Sequence, residues 1–383
     1  MSELEINEHR QMLLDSVTHF ARGLDLIRVR QLRDTATECD PAVWQQMAEL
    51  GWLGVLVPEA YGGMALQLAD MAIVAQALAR VLLPEPLTAV AVLAASVLAQ
   101  SNNEALKKTL LTDLVSGHCL PATAWQEQAG SLAVNSIGLQ ATAFEGGFKL
   151  NGRKQFVMGA TGADGFIVSA QSQQTPGVDG VQLWWVPKDT AGASVSFETL
   201  ADARRCATLS LKEVVVAKQQ LLLSGQAAVD SLSRAIDHTA VILSAELCGL
   251  MSRALEMSLE YMKTRVQFGK PIGSFQALQH RAVDLYIQQE LASAVLADGL
   301  SILDAEPTVQ TRQAAASRVK ARCTEAALLI TRQSIQLHGA IGFTEDCDVG
   351  LYVKRAMCLA AWMGNAHTHR RRYAKTEILR EVA

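Results

Sequence analysis

The sequence lacks the features that mark several large classes of protein. Its seven cysteines are scattered and form no CxxC pair, which argues against a zinc site and a disulfide framework. No stretch approaches the roughly 18 consecutive apolar residues that a membrane helix needs, and the N-terminus is polar. The formal net charge is −4 with both signs interspersed, so no polyanion-binding surface is expected. We therefore expect a cytoplasmic protein with no nucleic-acid or membrane partner.

The sequence does have length and apolar content. Its 383 residues, 50% of them hydrophobic, suffice for a large core and two or three domains. The spacing of apolar residues is helical up to about residue 118, strand-like up to about 225, and helical again beyond. We therefore predict a mainly α fold with an N-terminal helical domain (1–118), a small antiparallel β domain (119–225) and a C-terminal four-helix bundle (226–383).

Local patterns predict several elements of these blocks. In the middle block, Phe148-Lys-Leu150 alternates and meets Asn151-Gly152, which predicts a hairpin turn. Short strands are predicted at 166–168, 181–186, 207–211 and 214–216. Long helices with few breakers are predicted over 236–264, 275–304, 308–338 and 364–381.

Three segments carry motifs in a fixed order. They are Gly51-Trp-Leu-Gly-Val-Leu-Val-Pro-Glu-Ala-Tyr-Gly-Gly63, then Arg265-Val-Gln-Phe-Gly269 with Phe275-Gln276, then Gln336-Leu-His-Gly-Ala-Ile-Gly-Phe343. With the order of helices, β domain and helices, they resemble the acyl-CoA dehydrogenase family over essentially the whole chain. The resemblance implies FAD as cofactor and an acyl-CoA thioester as the substrate to be dehydrogenated.

The resemblance also implies that each FAD lies across a subunit interface, where a neighbouring chain reaches its adenosine diphosphate. The residues given to the neighbour would be Arg265, Phe268, Gln276, Gln336 and Gly339. A guanidinium can bind a pyrophosphate bidentately, and glycine lets backbone N–H groups approach phosphate. The simpler alternative is that these residues only end helices. Ala340 replaces the family's second glycine and departs from the pattern.

The family's catalytic base, a glutamate that removes a proton from the substrate, is missing from both positions at which the resemblance places it. Those positions hold Met363 and Thr239, and neither side chain can act as a base at neutral pH. Glu246, two helical turns beyond Thr239, is a weak candidate for a displaced base. A structural hydrogen bond is the alternative for Glu246. For Asp237 the alternative to catalysis is a first-turn acid that the helix dipole favours.

The flavin-ring side shows a second loss. Where the family carries an aromatic residue and then a hydroxyl residue beside the flavin, this chain has Phe156 and Met158. Ser131 corresponds to the serine of the family's T-E-P-x-x-G-S segment. The losses therefore cluster on the flavin-ring side, and the retained residues lie on the adenosine side.

Two stretches, 82–87 and 362–372, resemble subunits of bacterial heterotetrameric enzymes that act on CoA esters of steroid side chains and other bulky acids. The resemblance implies an α2β2 complex with a base-containing homologue, and an electron-transfer flavoprotein as a further partner. Two alternatives stay open: a self-sufficient homotetramer that uses Glu246, and a non-catalytic acyl-CoA-binding protein. No metal is expected, because His367 and His369 point to different sides of a helix.

Overall fold

The computed structural model describes residues 3–32 and 38–382. The helices are α1 (Glu3–Arg22), α2 (Ile27–Gln31), α3 (Pro41–Glu49), α4 (Leu68–Ala79), α5 (Ala95–Ala99), α6 (Glu104–Val115), α7 (Gly225–Thr264), α8 (Gln276–Asp304), α9 (Val309–His338), α10 (Val349–Ala361) and α11 (Ala366–Val382). The strands are β1 (Pro121–Ala124), β2 (Gln140–Phe144), β3 (Gly147–Val157), β4 (Gly165–Ser172), β5 (Val181–Pro187), β6 (Ala193–Thr199), β7 (Arg205–Val216), β8 (Leu221–Ser224), β9 (Val266–Gln267) and β10 (Lys270–Pro271). No helix in these ranges is both long and apolar enough to cross a bilayer.

The chain divides into two compact units, each assembled from segments that are distant in sequence. The helical unit comprises Met1–Gln31, Leu68–Leu83 and Ala240–Ala383, and the sheet unit comprises Leu32–Gln67 and Pro84–Thr239. The three-domain division with boundaries at 118 and 225 stays a prediction.

In the helical unit, α9 is the central helix of the bundle and packs against α8, α10 and α11. Its contact with α8 is close at Gly299, where a Cβ atom would lie 2.2 Å from a methyl group of Val319. The Thr308 hydroxyl caps α9 by accepting the Thr311 N–H. The predicted C-terminal helical bundle is therefore present, and the predicted fold class, mainly α with a small β domain, is confirmed.

The sheet unit contains one mixed sheet with strand order β6-β7-β3-β2-β4-β5-β8, and β1 also pairs with β4. Most pairs are antiparallel, but β1 and β2 both run parallel to β4. The expectation of a purely antiparallel domain was wrong in this respect. Parallel neighbours need long crossovers, and the 125–139 loop and the β3 strand supply them. The core of the sheet contains the fully buried Trp184, whose ring lies 4.8 Å from that of Phe148.

The Asn151-Gly152 hairpin prediction was wrong. These residues lie inside β3, at a register shift between Leu150 and Gly152 in its pairing with β7. Asn151 donates to Glu213 Oε1 at 2.6 Å and accepts the Glu213 N–H at 2.8 Å, so cross-strand bonds satisfy its amide. The hairpin turn lies at Glu145-Gly146 instead. Tertiary pairing therefore placed the Asn-Gly pair within a strand, opposite a bulge at Lys212-Glu213 of β7.

Three of the four long helices appear within two residues of their predicted limits, but α7 begins at Gly225 and α10 was not predicted. Asp237 consequently lies about three turns inside α7, and its interpretation as a first-turn acid was wrong. Within the segment that opens α7, Ala228, Leu232 and Ile236 are buried at helical spacing, so the pattern allowed an earlier start than the predicted one. Residues 207–211 and 214–216 likewise form the single strand β7.

Candidate functional site

An exposed arm, defined here as residues 265–276, connects α7 to α8 and carries the second motif. It is a small hairpin of β9 and β10, closed by Phe268 and Gly269, whose φ angles are +50° and +80°. The Ile272 N–H donates to the Arg265 carbonyl at 2.8 Å and closes the base of the arm. Phe268 is 90% exposed. Within the described residues, the exposed Arg265 guanidinium makes no hydrogen bond or ion pair.

The arm is stiffened by its own side chains. The rings of Phe268 and Phe275 meet edge to face with centroids 6.2 Å apart, and Lys270 Nζ lies 4.5 Å from the Phe275 centroid. Such aromatic and cation–π contacts hold a large apolar side chain in solvent in one orientation. The arm is therefore preorganised for a contact outside this chain.

The third motif lies beside the base of the arm. Tyr261, near the end of α7, stacks on His338 at the end of α9 with ring centroids 4.5 Å apart. Gly339 follows at φ +68° and ψ −142°, and a Cβ atom there would meet nothing within 4 Å. All five residues predicted for the adenosine side are exposed in the helical unit.

These five residues fit the adenosine diphosphate of FAD by their chemistry. They offer a free guanidinium, an exposed aromatic ring, two exposed amides and a glycine with open space around it. A cation and close backbone approach suit a diphosphate, and a ring suits an adenine. Their exposure also agrees with a ligand held mainly by another chain.

The predicted flavin-ring residues lie in the sheet unit. Phe156 is near the end of β3 with φ +57° and is 38% exposed, whereas Met158 is half-buried. Ser131 is also half-buried, and its hydroxyl accepts the Ala133 N–H at 3.3 Å. Phe156 offers an aromatic surface, but Met158 provides no hydroxyl donor for a flavin nitrogen.

A buried lysine holds the loop that leads to Ser131. Lys154 on β3 is 0% exposed, and its Nζ donates to Glu127 Oε1 at 2.6 Å and to Ser169 Oγ at 2.8 Å. Glu127 also accepts the N–H groups of Gly138 and Leu139. The Lys154–Glu127 pair thus fixes the loop against β3, β4 and the turn at Gly138-Leu139.

The pKa values of this pair reflect the balance between burial and attraction. Burial lowers the pKa of Lys154 to about 8, although the Glu127 charge opposes this shift. For Glu127, burial raises the pKa, but the attraction of Lys154 and its hydrogen bonds together lower it. The carboxylate therefore stays ionised at neutral pH.

The two positions at which the resemblance predicted a base are both buried. Met363 is 1% exposed in the turn between α10 and α11, with φ +57°. Thr239 is fully buried in α7, and its hydroxyl donates to the Ala235 carbonyl at 2.7 Å. Neither side chain presents a group that could accept a proton from a substrate.

Glu246 forms a buried ion pair. Its Oε2 accepts a hydrogen bond from Arg355 Nη2 at 2.9 Å, and both side chains are about nine-tenths buried. Asp237 is also fully buried. A carboxylate paired with a buried guanidinium has a structural role in this position.

Three of the predicted site residues share an unusual backbone conformation. Phe156, Phe268 and Met363 are non-glycine residues with φ between +50° and +57°. This conformation costs about 1–2 kcal/mol per residue and is concentrated at functional sites. Sequence reasoning selected these positions without any signal for their backbone geometry.

Sequence reasoning also missed several charged residues that support these positions. They are Lys154, Glu127, Lys320 and Arg355. His369 was considered only as a metal ligand, and its burial was not predicted. The available signal was a charge within an apolar-rich segment, since a charge on a buried face needs a partner. Within the described chain, no three His, Cys, Asp or Glu side chains form a group that could hold a metal.

Comparison with known proteins decides the family. The model of the acyl-CoA dehydrogenase N-terminal domain matches residues 7–118, and that of the C-terminal domain matches residues 229–378. The acyl-CoA dehydrogenase IpdE2 of Mycobacterium tuberculosis is 31% identical over 351 residues, which are 91% of each chain. The chain belongs to the acyl-CoA dehydrogenase family.

Solved structures agree with this assignment. A variant of the Tcur3481-Tcur3483 steroid ACAD has a TM-score of 0.87 and 27% identity, and covers 98% of this chain and 99% of its own. Butyryl-CoA dehydrogenase of Megasphaera elsdenii, 22% identical with a TM-score of 0.86, has the same fold over 99% of both chains. The predictions of an acyl-CoA dehydrogenase flavoprotein and of FAD as its cofactor are therefore confirmed.

Proposed function

We propose that this chain is a partner subunit of an FAD-dependent acyl-CoA dehydrogenase, which lacks the base and completes a flavin site shared with a homologous chain in an α2β2 complex. One observation carries the proposal. A buried methionine, Met363, occupies the position of the base, while the five adenosine-side residues remain exposed. The chain thus keeps what a neighbour's cofactor needs and lacks what its own reaction needs.

In this proposal, the chain's residues bind and orient. Arg265 neutralises the diphosphate of the partner's FAD, Phe268 packs against its adenine, and Gly339 permits close backbone approach. When bound, FAD supplies the hydride acceptor of the dehydrogenation. The proton is taken by a carboxylate of the partner subunit, because the described residues offer none at the family's positions.

The self-sufficient alternative would require Glu246 as base. Its ion pair with Arg355 supports a structural role instead, because protonating Glu246 during catalysis would break a buried ion pair. No residue supports the non-catalytic alternative, an acyl-CoA-binding protein, over the partner subunit. In such a protein the residues that this chain retains for FAD would have no ligand.

The substrate class is proposed from the relatives. The solved relative at 27% identity is named a steroid ACAD and joins two components, Tcur3481 and Tcur3483. Together with the resemblance of segments 82–87 and 362–372 to such subunits, this supports a CoA ester of a steroid side chain or another bulky acid. An electron-transfer flavoprotein would then reoxidise the complex.

The test is flavin stoichiometry. The chain purified alone should hold less than about 0.1 FAD per chain, and with a base-containing homologue it should form a yellow complex with about one FAD per pair. Met363→Glu should not give the isolated chain activity towards acyl-CoA, because a base is useless without a hydride acceptor. A yellow homotetramer with one FAD per chain and good turnover would overturn the proposal.

A further inference from the structure

The turn at residues 362–365 is short and strained, and its two central residues are buried. Met363 and Gly364 are both buried and have φ angles of +57° and +87°. The Trp362 N–H still donates to the Cys358 carbonyl at 3.1 Å, so α10 closes just before the turn. A methionine in the left-handed region persists only where surrounding contacts determine the backbone. The contacts that do so can be identified.

The first contact comes from α11. His369 is 0% exposed, and its Nε2 lies 2.7 Å from the Met363 carbonyl oxygen. A carbonyl can only accept, so Nε2 carries the proton and donates. Nδ1 has no hydrogen-bond partner among the described residues. Burial lowers the pKa of His369 to about 3, against the opposing effect of the Met363 bond, so the imidazole is neutral.

The second contact comes from α9. Lys320 is 0% exposed, and its Nζ donates to the carbonyl of Leu359 in the last turn of α10. The charged groups that act on it come from two other helices, Glu246 from α7 and Arg355 from α10, and the charge of Lys320 in turn acts on the neutral His369 of α11. The two anchored carbonyls, 359 and 363, are four residues apart in the sequence, one in the last turn of α10 and one in the turn that follows.

We propose that His369 and Lys320 are positioning residues, which hold the 362–365 turn in one conformation. His369 binds the Met363 carbonyl within the turn, and Lys320 binds the Leu359 carbonyl in the last turn of α10. The proposal goes beyond the shared flavin site and does not depend on it. It assigns a role to two buried groups that none of the three motifs contains. In this chain the turn keeps a fixed shape even though it carries no carboxylate.

Hydrogen exchange of the whole chain, measured by mass spectrometry on peptides that span 357–366, tests the first anchor. In His369→Leu, exchange of the Trp362 amide should rise about tenfold or more, because the turn loses a buried hydrogen bond. His369→Gln retains an N–H donor and should stay within about threefold of the original chain. The matched control is His367→Leu, an exposed residue of the same helix, which should change nothing.

Lys320→Met tests the second anchor in a variant that keeps side-chain length and has no amine to bury. It should fold and show a few-fold faster exchange in the same peptides only. The proposal is overturned if His369→Leu leaves the turn protected, or if His369→Gln is as loose as His369→Leu. It is also overturned if faster exchange spreads evenly over α9 and α10, since that would be general destabilisation. If His369→Leu does not fold, unchanged exchange in Lys320→Met rejects the proposal.

Discussion

The exposed arm and the 359–369 segment belong to the same helical unit but are built in opposite ways. In the arm, Phe268 is 90% exposed and side chains bond mainly to each other. In the 359–369 segment, Leu359, Met363 and His369 are at most 1% exposed, and backbone carbonyls are bound by buried donors. One region is complete within the chain, and the other has surfaces that only a further molecule can cover.

This difference is informative because a different arrangement is unfavourable in free energy in each region. A large apolar ring in water is unfavourable, so the arm's aromatic ring gains free energy only when something covers it. A buried donor without an acceptor is equally unfavourable, so the segment's polar groups must be paired inside the chain. Substitutions should therefore change stability in the buried region and assembly in the exposed one.

The largest effect is expected at the buried ion pair. Glu246→Gln should destabilise the chain by about 3–5 kcal/mol, because it removes one charge of a buried, hydrogen-bonded ion pair. Thermal unfolding of the isolated chain measures this loss. The control is Glu325→Gln, whose pair with Arg370 is more exposed and should contribute less than about 1 kcal/mol.

The same variant also separates the structural role of Glu246 from a catalytic one. In the assembled enzyme, Glu246→Gln should lower turnover only slightly when assayed well below its unfolding temperature. A loss of several orders of magnitude in turnover with FAD still bound would identify Glu246 as the base. That result would show that the buried region has a catalytic role, so it would no longer contrast with the exposed arm as a purely structural region.

A stabilising effect is expected at Lys320. Burial lowers its pKa to about 7 from an ordinary value of about 10.5, so charging the amine opposes folding at every pH below about 10.5. Such a shift corresponds to roughly 5 kcal/mol, of which the lost bond to Leu359 would offset about 1–3. Lys320→Met should therefore stabilise the chain by about 2–4 kcal/mol at pH 7.

The pH dependence of this gain provides its check. For a base with a lowered pKa, the penalty is complete below about pH 7 and disappears as the pH rises towards about 10.5. Unfolding at pH 6, 7 and 9 should show the gain of Lys320→Met shrinking at pH 9. Lys375→Met, at an exposed lysine of α11, should show no such trend. A gain independent of pH would mean that burial of the charge is not its cause.

The smallest effect concerns the arm. Arg265→Ala should leave the folding of the chain unchanged but weaken FAD retention in the assembled complex by about 1.5–3 kcal/mol, as for a charge-assisted hydrogen bond. The measurement is a titration of FAD into complex that has been stripped of flavin. Lys263→Ala removes an exposed cation just before the arm and serves as the control. Equal FAD affinities for the two variants would show that Arg265 only ends a helix.

Several features could be predicted from the sequence because they depend on local patterns. Three long bundle helices follow from uninterrupted apolar spacing, and the site positions in the arm follow from a motif of fixed spacing. The Asn151-Gly152 pair could not be placed in this way, because a cross-strand partner, Glu213, competed with the local turn preference. The start of α7 was placed too late, because Gly225 and the polar residues after it obscured an apolar helical spacing that begins at Ala228.

The family, the order of helical and strand-forming blocks, and the methionine at position 363 follow from the residues alone. These properties depend only on which residues occur and at what spacing. The partners of the buried charged groups depend on the fold, because Glu246 meets Arg355, and Lys320 meets Leu359, across helices that are far apart in the chain. Burial makes such pairing obligatory, since an unpaired charge in the interior costs several kcal/mol, but many partners would satisfy it equally well. The packing of the helices selects one of them.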